Sequence, residues 1–104
     1  MTLHVQEMYK TKRKEIEAGV FKVSKDYLTN GEKVGLGSFL ELDSLESVGY
    51  IIDLQDKFNI SISDGEATAF LNRREREEGL ESLSNPGYVA VGDVVDYLLS
   101  REKL

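Results

Sequence analysis

Leu40-Glu41-Leu42-Asp43-Ser44-Leu45-Glu46-Ser47-Val48 is the stretch on which the reading of this chain turns. An aspartate stands at 43, a glutamate three residues on at 46, and an apolar period begins behind them. This is capping-box spacing with Asp in place of the usual Ser or Thr, so a helix is predicted to start at Ser44. Ser44 then falls in the first turn, its hydroxyl at the end of a loop and beside backbone N–H groups. The positive end of the helix dipole lies there too, which favours a phosphodiester. On spacing alone the plainer account is the better one: Asp43 and Ser44 cap a helix and do nothing more.

Outward from this stretch the apolar period stays helical. Val48, Ile51, Leu54, Gln55 and Phe58 line one face of a second helix, 44–58. Upstream, Ile16, Val20, Val23 and Tyr27 follow the i, i+4, i+7, i+11 rule, with Phe21 and Leu28 beside them. They predict a first helix over 12–29, preceded by a weakly patterned extension, 1–11, that frays or lengthens it. Asn30-Gly31 marks a turn, and Gly35 and Gly37 keep a long first loop, 30–43, open. Ile60, Ile62 and Ala67 mark a connector that turns into a short helix. Asn85-Pro86-Gly87 marks a second turn, and Val91, Val94, Val95 and Leu98 line a last helix, 92–101. No stretch alternates well enough for a strand, so the expected fold is all-α, a helical bundle in one domain.

The net charge of −6 is unevenly spread over the 104 residues. Residues 1–40 carry a net +2, residues 41–66 a net −6 and residues 67–104 a net −2. An acidic central segment repels nucleic acid and attracts basic protein surfaces. A solvated helix face without a partner explains the same charges equally well. With no cysteine, disulfides, thiolate zinc sites and a cysteine nucleophile are excluded. The apolar runs are too short to span a bilayer, and the first fifteen residues contain no apolar core of a secretory signal. The expectation is a cytoplasmic protein that does not insert in membranes.

Two other chemistries find less support in the residues. A serine hydrolase needs a general base, and the only histidine is His4, in the N-terminal fringe. For a metal, Asp53 and Asp56 lie i, i+3 on a helix, and Ser63-Asp64-Gly65-Glu66 offers carboxylates and a glycine. Neither reaches the ligand count of a calcium loop, and a solvated acidic face accounts for them better.

Taken together, Asp43-Ser44-Leu45-Glu46-Ser47-Val48, Leu54, Phe58-Asn59-Ile60, Ile62 and Asp64-Gly65-Glu66-Ala67 resemble the acyl carrier protein family. Val91-Gly92-Asp93-Val94-Val95-Asp96-Tyr97-Leu98 is similar to that family's last helix, and the first helix is compatible with it. The resemblance implies an acyl-carrier-like four-helix bundle over 12–104, with an insertion at about 68–87. It implies that Ser44 carries a covalent 4′-phosphopantetheine, with Asp43 as the motif's cap. A separate phosphopantetheinyl transferase would attach the arm from coenzyme A with a magnesium ion. The carrier itself would be no enzyme. It would be a monomer that meets acyl-loading and acyl-transfer enzymes and shelters the acyl chain in its core. Leu45 and Ile52 fall on a face of the second helix distinct from Ile51, Leu54 and Phe58, and Gly49 between them has no side chain to shield that face. With Glu46, Val48, Asp53 and Asp56 they make the expected partner surface.

The sequence departs from the family's pattern at Glu41, often glycine there, and at Gly49 and Gln55, commonly acidic in fatty-acid-synthase carriers. Thr68–Gly87 replaces a short third helix and link. Phe70 and Leu71 would anchor one end of it and Leu80 and Leu83 the other, with Arg73, Arg74 and Arg76 facing water, either as a recognition surface or as part of a surface elongation without a role. These departures point to a specialised lipid or secondary-metabolite pathway rather than housekeeping fatty acid biosynthesis. The competing expectation is an unmodified helical interaction module with a carrier-like fold.

Overall fold

The computed structural model describes residues 2–28, 33–73 and 87–102, with side chains described from Lys12 to Arg101 within those ranges. In chain order the elements are helix α1 (Thr2–Lys25), strand β1 (Phe39–Leu42), helix α2 (Ser44–Phe58), short helix α3 (Asp64–Ala67), strand β2 (Gly87–Ala90) and helix α4 (Val91–Glu102). Helix α1 packs on α2 and on α4, and the two strands pair with each other. Helix α1 runs without a break from Thr2 through the boundary predicted near residue 12 and stops at Lys25, short of residue 29. Tyr27 N–H then bonds the Ser24 carbonyl in a closing turn.

Ile16, Val20 and Val23 are buried, as their helical spacing predicts. They meet Leu54 of α2 and Val94, Val95 and Leu98 of α4 in one core. Gly19 lies in the same seam because a Cβ there would stand 2.6 Å from the Phe58 ring.

The all-α expectation is corrected by the strands, which pair antiparallel as Phe39 with Ala90, Leu40 with Val89, Glu41 with Tyr88 and Leu42 with Gly87. The physical reason is partly visible in the residues. Leu40 and Leu42 are buried while Phe39 and Glu41 are exposed, a period-2 pattern only four residues long. In β2 the burial is nearly continuous, so no alternation marks it. Gly87, expected in the insertion, therefore opens a strand.

The connector holds as predicted up to α3. Ile62 is buried, its N–H bonded to the Gln55 side chain at 2.7 Å. Ser63 caps α3 and Glu66 returns the bond to Ser63 N–H, so the Ser63–Glu66 stretch is a capping box. Helix α3 is tied to α4 through Tyr97 O–H, which donates to Glu66 at 2.9 Å, and through Arg101, which reaches Glu66 and the Ser61 carbonyl. These bonds to the charged form, Tyr97 first, hold the Glu66 carboxyl below its usual range. Phe70 is fully buried, as its predicted anchoring role requires. Leu71 is half-buried and bridges Val89 of β2. Arg73 pairs with the buried Asp93 at 3.2 Å. Arg74, Arg76, Leu80 and Leu83 lie outside the described residues.

Candidate functional site

Asp43 is the N-cap of α2, with extended backbone, and both halves of the box are present. Glu46 N–H donates to Asp43 Oδ1 at 2.7 Å, and Asp43 N–H donates to Glu46 Oε1 at 3.1 Å. Ser47 closes the turn, its hydroxyl donating to the Asp43 carbonyl at 2.9 Å. The predicted cap and helix start are therefore in place. Ser44 is the first helical residue and is exposed. Helix geometry leaves the Ser44 and Leu45 amides without a carbonyl partner inside the helix.

That donor set fits a phosphopantetheine ester. An exposed hydroxyl accepts the group without disturbing the core. The free first-turn amides and the helix dipole supply partial positive charge where the phosphodiester would sit.

Beyond Ser44, α2 presents an apolar ridge. Leu45 is 82 % exposed, Val48 56 % and Ile52 47 %, which separates them from the core residues of the same helix. Glu46, Asp53 and Asp56 are exposed beside them. The six residues expected to meet partners thus share the outward side of one helix.

The inward side differs from the predicted one. Val48 is not on it. The buried stripe is Ser47, Tyr50 and Leu54, with Ile51 and Phe58 only half-buried at its edge. Tyr50 takes the central place because its hydroxyl finds the Ser24 hydroxyl of α1 at 2.8 Å, deep in the seam. A tyrosine tolerates full burial when its polar tip is bonded. The stripe predicted from the helical period, Val48, Ile51, Leu54, Gln55 and Phe58, passes over it.

Gly49 also has a different role from the one expected. It does not leave the outward face bare. Tyr27 lies against it, and a Cβ at 49 would stand 3.1 Å from the Tyr27 hydroxyl. That hydroxyl donates to Asp53 Oδ2 at 2.7 Å, a contact between residues 26 apart that no helix spacing reveals.

Among the described residues no group of three or more His, Asp or Glu side chains gathers to hold a metal. His4 belongs to α1, and its side chain is outside the described set. None of the described helices is long and apolar enough to cross a membrane. No family model, no curated protein and no solved structure matches this chain.

Proposed function

We propose that this chain is an acyl carrier built on an acyl-carrier-like helical bundle, with 4′-phosphopantetheine attached to Ser44. The observation that supports it most is the placement of one exposed serine at the first position of a boxed helix, next to an apolar ridge edged with carboxylates. When bound, the arm supplies a thiol that holds acyl groups as thioesters. The chain's own residues do the rest. Asp43 and Glu46 fix the helix start so that Ser44 faces a transferase in one orientation. Leu45, Val48 and Ile52 offer apolar area to a visiting enzyme, and Glu46, Asp53 and Asp56 draw basic surfaces toward it. Tethering raises the local concentration of the acyl group at each enzyme visited. The departures at Glu41, Gly49, Gln55 and 68–87 favour a specialised lipid or secondary-metabolite pathway.

Intact mass after incubation with coenzyme A, magnesium and a broad-specificity phosphopantetheinyl transferase tests this. The wild-type chain should gain one phosphopantetheinyl group, and Ser44→Ala should gain none while keeping its helical circular dichroism. No gain in the wild type, or a gain that survives in the mutant, ends the proposal.

A further inference from the structure

We propose that Tyr27 is a positioning residue for partner docking: it reaches across Gly49 and holds the Asp53 carboxylate ready for a cationic group on the visiting enzyme. The inference rests on the carrier reading above and adds to it a residue outside α2.

The geometry is specific. The Tyr27 ring stands edge-on to the Tyr50 ring, with centroids 5.3 Å apart and planes at 90°. Tyr50 is itself fixed by Ser24 in the core. A buried ring thus sets the position of a half-buried one at the border of the docking ridge. From there the Tyr27 hydroxyl lies over residue 49, where only glycine leaves it uncrowded room. The hydroxyl donates to Oδ2 of Asp53.

The chemistry of that bond suits positioning rather than neutralisation. A phenol is uncharged, so the full negative charge of Asp53 remains. An ionised carboxylate also has acceptor capacity left after one bond. Burial, then the bond to Asp53, pushes the Tyr27 hydroxyl well above its ordinary range, so it stays a donor at any working pH. A carboxylate already held in one orientation loses less freedom when a partner's cation arrives. Asp53 follows Ile52 directly, and Gly49, under the Tyr27 hydroxyl, lies one helical turn from both Leu45 and Ile52, so a partner meets apolar area and an oriented charge on the same side of the helix. The partner this fits is an enzyme surface with an apolar hollow and a lysine or arginine beside it.

The test is a double-mutant cycle on the transferase reaction, with kcat and KM for the carrier measured in wild type, Tyr27→Phe, Asp53→Asn and the double variant. Tyr27→Phe keeps the ring and its contact with Tyr50, so the fold is retained. Either single change should raise KM roughly two- to fivefold, the range for exposed charge interactions, with kcat unchanged. The double variant should be no worse than Asp53→Asn alone, because Tyr27 acts only through Asp53. An unchanged KM in either single variant, or additive effects in the double, overturns the inference while leaving the carrier reading intact. A wild-type chain that takes no arm at all overturns both.

Discussion

The hydroxyls of Ser24 and Tyr50 meet 2.8 Å apart in the seam between α1 and α2, where both side chains are buried. Each satisfies the other. Removing one partner leaves a buried hydroxyl unpaired, at a cost of about 1–3 kcal/mol. Tyr50→Phe and Ser24→Ala should each lose that much in urea unfolding, and the double variant less than the two losses together. Strict additivity would show that the hydroxyls find other partners.

The same burial predicts alkaline instability. Loss of solvation pushes the Tyr50 phenol up to about 12, and the hydrogen bond with Ser24 only partly opposes it. Tyr27 is pushed up as well, by burial and by Asp53. Both phenols are neutral when protonated, and their folded values lie above the unfolded value near 10. The stability they contribute is present below the unfolded value and is lost as pH rises through the folded one. The melting temperature should therefore fall above pH ~10, where unfolded tyrosines begin to ionise. Tyr50→Phe should make that fall shallower, and an unaltered alkaline slope would contradict the burial of Tyr50.

Asp43 joins stability to recognition. Asp43→Ala removes the acceptor for Glu46 N–H and should cost about 1 kcal/mol. It should also slow modification of Ser44, because the helix start then frays beneath the hydroxyl. Asp43→Asn keeps a capping oxygen and should recover most of the stability. If Asp43→Ala moved neither unfolding nor rate, the box would have no role.

Ile52 and Leu54 are two residues apart and face opposite ways. Leu54 is fully buried, so Leu54→Ala should cost about 2–5 kcal/mol. Ile52 is nearly half exposed, and Ile52→Ala should lower the melting temperature little while reducing acyl transfer by the cognate enzyme. Equal destabilisation by the two changes would show that the ridge is part of the core.

Contacts within one turn of helix were legible in the sequence; contacts across the chain were not. Asp43, Ser44 and Glu46 lie so close that spacing alone places the cap, and the helical period separates Leu45 and Ile52 from the buried face. The burial of Tyr50 depends on Ser24, 26 residues away on another helix, a contact that no local spacing reveals. Nothing local to Gly49 points to Tyr27, so the sequence shows there only a missing side chain. The sheet was missed because Phe39–Leu42 offers only two inward leucines, and its partner strand alternates not at all.

Gly87 links the sheet to the candidate site, and its replacement tests both. It pairs with Leu42 across the strands. A Cβ there would overlap Ser47 Oγ and stand 2.8 Å from the Leu42 carbonyl oxygen and 3.0 Å from Leu42 Cβ. Gly87 is not in the left-handed region, so the obstacle is crowding and not backbone strain. Leu42 is main chain at a strand end and cannot swing aside as a long side chain would. Ser47 holds the Asp43 carbonyl in the turn that carries Ser44. Gly87→Ala must therefore push β2 away from β1, or press on the first turn of α2. Overpacking of this kind costs about 1–3 kcal/mol. The variant should show that loss in urea unfolding, faster amide exchange along Phe39–Leu42, and slower modification of Ser44. Adding Ser47→Gly should not restore the loss, because the Leu42 main chain remains in the way and the Ser47 bond to the Asp43 carbonyl is removed as well. Stability within about 0.5 kcal/mol of wild type, the range of an uninvolved surface change, would mean that β2 does not pack against Leu42 and Ser47 in this way.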